Sequence, residues 1–261
     1  MITDLPVHDE MLKSAMKNIS FFLETFYILF ENDWEEIQQP PIDETESQRK
    51  KRILSAKDAF IQSGLVILFN SAEIYLKSHI AKANVFLLLK DVRDAGKNGS
   101  FFDKSTLDAN GLPPIYECIT SSVLSKNFKD SYDLLRKERN KVIHLGFSNI
   151  EISSILMSSF FILLKEVSSK SLWEACEVLT KKNDGKSSLE QEAQQKYFSS
   201  QFISILKSFF DINSIIKSAY SFDNPPVQWA ECPHCHTPKN TLAIISNRKS
   251  VCLSCSAISG A

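Results

Sequence analysis

Cys232-Pro-His-Cys235 and Cys252-Leu-Ser-Cys255 are two thiol pairs with two residues inside each pair and sixteen between them. Two thiolates on one tight turn can face a single ion. Two such turns joined by a hairpin supply the four sulfurs that tetrahedral Zn²⁺ prefers. Four protein ligands leave no open position for water, so the expected zinc is structural and not catalytic. His234 and His236 could substitute as ligands, but four cysteines leave no vacancy, and the histidines read as surface residues. The competing reading is a disulfide-linked or disordered tail. A redox CxxC fits less well, because no βαβ pattern surrounds it.

A second constellation is Arg136, Arg139-Asn140 and His144. On a helix, Arg136, Asn140 and His144 fall four residues apart along one inclined face. Arg139 lies about 100° round from Asn140, with a side chain long enough to reach the same spot. These residue types suit metal-free cleavage of an RNA phosphodiester. Histidine moves protons near neutrality, to or from the 2′-hydroxyl and the leaving 5′-oxygen. Arginine offers a fork of donors to phosphate oxygens as charge builds on them. Asparagine can fix the imidazole or the phosphate. One histidine cannot stand on both sides of one phosphate, but a two-fold dimer would bring a second. The plainer reading is a solvated basic face ending in a histidine that favours the helix dipole.

Elements must position both sets. The chain has 261 residues, a net charge of -1, 43 % hydrophobic and 23 % charged residues, and only seven glycines. That excludes collagen-like and low-complexity chains, disfavours an all-β fold, and rules out binding nucleic acid through bulk positive charge. Pro40-Pro41, Pro113-Pro114 and Pro225-Pro226 punctuate the sequence. Helical patterning runs over 7–38, over 48–91 with a possible bend at Gly64 or Asn70, near Ile115, over 127–145, 151–169 and 173–179, and over 190–220. Gly146 is placed just past a helix end, where a positive φ is wanted. Residues 94–114 and 181–188 read as loops. Eighteen phenylalanines spread over the helices read as core. Cys118 and Cys176 read as buried free thiols. The expected organisation is an all-α domain over 1–222 and a zinc-ribbon module over 223–261. Its thirty residues from Cys232 are too few for a core, so metal would supply its folding free energy.

Charge is local. Residues 126–141 hold six basic and three acidic side chains, while 31–46 hold seven acids and no base. The acidic run reads as a solvated loop that could also screen the basic helix. From Cys232 onward stand Lys239, Arg248 and Lys249 with no acid. With a four-thiolate zinc the module nets about +1, which permits contact with nucleic acid without demanding it. No apolar run reaches the roughly 18 residues of a membrane span, and no basic-start secretory signal is present. Cytoplasmic placement and no membrane partner are the expectation.

Arg139-Asn140-x3-His144 resembles the motif of the HEPN superfamily. The segment Phe60 to Lys77, with Ala72-Glu73 and Lys77, is similar to that superfamily's earlier helix. The resemblance implies an α-helical bundle acting as a homodimer, and a metal-independent endoribonuclease leaving a 2′,3′-cyclic phosphate and a 5′-hydroxyl. It implies catalytic roles for Arg139 and His144, support from Asn140, and a polar supporting role for Glu73. Glu73 could equally be a surface acid pairing with Lys77. Superfamily members serve largely in toxin–antitoxin, abortive-infection and anti-phage systems. RNA and a cognate antitoxin or defence partner are therefore the expected partners. The ribbon lies outside the superfamily pattern. The alternative is a non-catalytic HEPN-like adaptor that dimerises through its helices and docks a partner through the ribbon. A zinc-ribbon DNA-binding regulator is a third reading, disfavoured by the ribbon's small charge.

Overall fold

The computed structural model describes residues 2–38, 44–146, 152–180, 187–237, 240–246 and 249–259, the side chains at 32, 34–38, 92 and 152–154 aside. Nine α-helices are formed among these: α1 (His8–Gln38), α2 (Glu46–Ala56), α3 (Asp58–Asn84), α4 (Leu112–Thr120), α5 (Lys126–Leu145), α6 (Ile152–Ser168), α7 (Leu172–Ala175), α8 (Ser188–Phe209) and α9 (Ile212–Tyr220). Strands β1 (Ile2–Thr3) and β2 (Gly99–Ser100) make a short parallel pair. Strands β3 (Gln228–Ala230), β4 (Leu242–Ser246), β5 (Lys249–Cys252) and β6 (Ile258–Ser259) form an antiparallel sheet in that order. The structure is thus a helical assembly followed by a small C-terminal sheet.

Helix α3 sits at the centre, packed by α1, α4, α5 and α6. Leu65, Leu68, Phe69, Ala72, Leu76 and Ile80 are its buried stripe. With the 3-10 turn that follows it, over Asp58–Leu88, it is the one helix among the described residues long and apolar enough to cross a membrane. Here that apolarity is spent on the surrounding helices. Phenylalanines join the layers as expected: Phe22, Phe26 and Phe30 recur every fourth residue of α1 and meet Phe60, Phe160, Phe202, Phe209 and Phe210. Helix α3 runs unbroken through Gly64 and Asn70. Gly64 makes room, since a Cβ there would lie 2.8 Å from the Phe22 ring. Phe22 is fully buried and has nowhere to retreat. Gly64→Ala is therefore expected to destabilise the chain by about 1–3 kcal/mol, read as a lower urea midpoint at unchanged slope.

Two expected single helices are in fact pairs. The 48–91 segment breaks at Lys57, whose Nζ pairs with Asp33 at 2.5 Å and stands over the Phe30 ring. The 190–220 segment breaks at Phe210-Asp211. Asp211 caps α9 by accepting from the backbone N–H groups of Asn213 and Ser214. A hydrogen bond from the Ser214 hydroxyl, with those N–H groups, holds the Asp211 carboxyl below the usual carboxylate range. A depressed folded value means its stabilisation is present above the unfolded carboxylate pKa and is lost as pH falls through the folded one. Asp211→Ala should cost about 1 kcal/mol near neutrality and flatten the acid limb of a pH–stability curve, measured by urea titration.

Cys176 is buried as expected, and burial pushes its thiol far up. Cys118 is exposed on α4, contrary to expectation. Its helix buries Leu112 and Tyr116, and residue 118 falls on the other face. Of the loops read from the sequence, 94–114 contains short 3-10 turns and β2. The loop at 181–186, the acidic side chains at 34–43, and Lys239 and Arg248 lie outside the described residues.

Candidate functional site

The sheet holds the cysteines. β3 leads into the Cys232–Cys235 turn, and the β4–β5 hairpin carries the chain to the Cys252–Cys255 turn. The two turns are built alike. The backbone N–H of His236 donates to the Cys232 carbonyl at 2.9 Å, and that of Ser256 to Cys252 at 2.8 Å. The residue after each second cysteine takes a left-handed conformation, φ +49° at His236 and +59° at Ser256. All four sulfurs lie within 4.8 Å of one another, with Cys232–Cys255 at 3.7 Å and Cys235–Cys252 at 3.8 Å. A tetrahedron with metal–sulfur bonds of about 2.3 Å has edges of about 3.8 Å, whereas a disulfide needs about 2.05 Å. The cluster therefore fits a metal ion and not a disulfide. The Cys252 contact draws the Cys235 thiol well down and pushes Cys252 far up. Four thiols this close cannot all lose protons unless a cation joins them. His234 and His236 are exposed, as expected of non-ligands.

The sheet is fastened to the helices. Ala243, Ile245, Val251 and Leu253 belong to the same apolar core as the bundle, and Trp173 of α7 packs against the cysteines. The Trp173 N–H donates to the Ser254 carbonyl at 3.1 Å. Lys207 of α8 donates to the Asn240 carbonyl at 2.6 Å and lies 3.3 Å from the centre of the Trp229 ring. Burial lowers that lysine to about 8.

Helix α5 positions the second constellation. Ser125 caps it by accepting from the Phe128 N–H, and Gly146, at φ +72°, ends it. Phe128, Tyr132 and Leu135 are buried, and Arg139 continues their stripe. The guanidinium lies 5.5 Å from the Phe69 ring centre, and Nη1 donates to Asn140 Oδ1 at 3.1 Å. Arg139 Nε is buried without a hydrogen-bond partner. Its neighbours are compensated: Lys129 by Glu117, Arg136 and Lys137 by Asp133, and Lys141 by Glu138, at 2.6–3.1 Å. Arg139 makes no ion pair among the described residues. It is a half-buried cation whose partners among the described residues are one amide and an aromatic face.

Arg139 and Asn140 are thus brought together, and His144 is not joined to them. His144 is exposed in the last turn of α5, with no hydrogen bond or ion pair to either among the described residues. Five residues of helix place it about 140° round and about 7.5 Å along from Arg139. Glu73 pairs with Lys77 at 2.5 Å. It also faces α5: after burial, its carboxylate is the main influence raising the Tyr132 phenol.

No protein-family model matches this chain, and no curated protein or solved structure matches it. A cavity of about 920 Å³ is a trough between α5, α6 and α9 on the flank of α5 away from Arg139. It sets Lys126 and Lys217 against Asp130, Asp211 and Asp223, so its charge is not that of a polyanion cradle. Sequence reasoning missed two clusters. His79 lies edge-on to His8, Tyr75 and Tyr116 at 4.7–5.5 Å, and burial lowers its pKa. Thr237, Thr241 and Ser254, interleaved with the cysteines, are fully buried. Their positions beside the CxxC pairs were the available signal.

Proposed function

We propose that this protein is a metal-independent endoribonuclease of the HEPN type, acting as a homodimer, in which the cysteine cluster binds a structural zinc. The observation that carries the reading is Arg139: a partly desolvated guanidinium with no carboxylate partner among the described residues, on the helix that also carries Asn140 and His144. Such a cation gains most from an anion such as a phosphate oxygen. His144, exposed on the last turn of α5, takes the proton of the 2′-hydroxyl as that oxygen attacks phosphorus. The 5′-oxygen leaves with a proton from a second imidazole. Arg139 and His144 of one copy stand about 140° apart on α5 and do not meet, so the reading requires two copies, each lending one residue set to the other. The products are a 2′,3′-cyclic phosphate and a 5′-hydroxyl.

Zinc held by Cys232, Cys235, Cys252 and Cys255 stabilises the sheet and keeps it on α7 and α8. By the same resemblance we propose a cytoplasmic toxin or anti-phage effector with a cognate partner protein. The direct test is incubation of zinc-loaded, magnesium-free protein with total RNA beside Arg139→Ala and His144→Ala. Cleavage by the wild type alone supports the reading, and equal cleavage by all three rejects it. The half-buried stacking of Arg139 on Phe69 favours a second reading, a non-catalytic HEPN-like adaptor. In that case the wild type is inert on every RNA and binds one partner tightly.

A further inference from the structure

Titratable rings meet where the start of α1 lies against the end of α3. His8 opens α1, and its Nδ1 lies 2.9 Å from the Ser78 carbonyl oxygen of α3. A carbonyl only accepts, so Nδ1 carries a hydrogen and donates it. His79, the next residue of α3, stands edge-on to His8, Tyr75 and Tyr116 of α4, with ring centres 5.5, 4.7 and 5.4 Å away. The next polar fastening of α1 to α3 among the described residues comes two turns on, where the Ser71 hydroxyl donates to the Ala15 carbonyl at 2.7 Å.

The cluster accommodates one positive charge and not two. The carboxylate beside the pair is Asp9, 3.7 Å from His8 Nε2 but 80 % exposed, so water screens it. Lys82 of α3 adds a positive charge, and the N-terminus of α1 opposes a cation at His8. The Tyr75 phenol is held far up by burial and then by its hydrogen bond to Tyr116, so it supplies no counter-charge. Glu166 of α6 pushes that phenol further up, and α5 contributes only the apolar Phe128 ring. Burial first, then His8 and Lys82, lower the His79 pKa. With α1 seated, the two imidazoles therefore hold at most one proton near pH 6. With the start of α1 lifted away, each returns to water and to its ordinary value of about 6.5.

We propose that His8 and His79 form a proton-operated latch: acid lifts the first two turns of α1, residues 8–14, off the end of α3, and neutral pH seats them again. The sign follows from the seated His79 binding its proton less readily than a free imidazole. The closed latch is at full strength above about pH 6.5 and weakens as pH falls toward the lowered value. The open form binds one proton more than the closed form, so opening rises about tenfold between pH 7.5 and 5.5. The latch depends neither on the RNA-cleavage reading nor on metal at the cysteines.

Deuterium exchange of the full chain measures the opening, read by mass spectrometry over residues 8–14 at pH 7.5 and 5.5 and corrected for the intrinsic pH dependence of amide exchange. Residues 65–72, in the buried middle of α3, report global unfolding in the same sample. In the wild type, opening of 8–14 is expected to be about tenfold greater at pH 5.5, with 65–72 changing less. His79→Phe keeps a ring and His79→Gln keeps a polar group, and neither takes up a proton. Each should bring the ratio between the two pH values close to one. The ratio is taken within each variant, so a uniformly weaker fold does not imitate the result. His8→Asn keeps a donor for the Ser78 carbonyl without a charge, and should leave about threefold, the share due to burial of His79. An unchanged 8–14 in the acidified wild type, or an equal change over 65–72, overturns the latch. So does the full wild-type ratio in the His79 variants or in His8→Asn.

Discussion

Removing the metal from Cys232, Cys235, Cys252 and Cys255 is expected to unfold the ribbon and lower the melting temperature of the whole chain by about 10 °C. Zinc binding contributes about 10 kcal/mol or more to small modules of this kind, most of it used to order the module itself. A remainder of a few kcal/mol reaches the helices, at about 2–4 °C per kcal/mol for chains near this size. It reaches them because the ribbon is not free: Ala243, Ile245, Val251 and Leu253 share the helical core, and Trp173 and Lys207 are tied to it. Calorimetry before and after chelation measures the effect. Each of the four Cys→Ser variants should reproduce it, whereas Cys118→Ser, exposed on α4, should not. A ribbon that melts without moving the helical transition would contradict this coupling.

Arg139→Ala and His144→Ala are each expected to lower kcat/KM for RNA cleavage by about 10²–10⁴-fold, the range for losing a proton-transfer group or a charge-stabilising donor. Their other effects should differ. His144 is exposed, so His144→Ala should leave the melting temperature unchanged. Arg139→Ala should also free the Asn140 amide and uncover Phe69, lowering stability modestly. Arg139→Lys should not restore activity, because an ammonium lacks the planar fork that meets two phosphate oxygens while lying over a ring. Single-turnover rates with a short labelled RNA, beside melting curves, separate these outcomes. Activity lost only in proportion to stability would mean that Arg139 serves packing alone.

The parts legible in the sequence are those fixed by near neighbours. Both CxxC pairs declare their turns by spacing alone, and the sulfurs converge as that spacing requires. The C-terminal end of α5 was legible too, through Gly146. What failed depended on distant residues. The break at Lys57 is set by Asp33 and Phe30 on α1, which no local pattern reveals. Gly64, read as a bend, answers a ring forty-two positions away in α1. The break at Asp211 was written locally, in an aspartate two and three residues before the N–H groups it caps, and an apolar pattern continuing on both sides obscured it.

The candidate sites divide in the same way. The identities of Arg139, Asn140 and His144 could be read from the chain, but not the direction of the arginine, which α3 decides through Phe69. Nor could pairing of the neighbouring cations be foreseen in full. Four of the six cations in 126–141 are paired, by Asp133, Glu138 and, from α4, Glu117, but only Glu117 lies outside the segment, so the local +3 falls to +2. The ribbon reads as a separate tail because its cysteines are consecutive in sequence. Its attachment involves Trp173, Ser199 and Lys207, which lie 25 or more residues earlier.

Cleavage of one defined RNA, with a single 2′-deoxy sugar placed at the mapped cut, bears most directly on the central claim. Zinc-loaded wild-type protein in magnesium-free buffer should cut the all-ribose strand to a 2′,3′-cyclic phosphate and a 5′-hydroxyl. It should leave the 2′-deoxy position intact. Cutting at the deoxy position, a 5′-phosphate end, or undiminished cutting by His144→Ala would contradict the account.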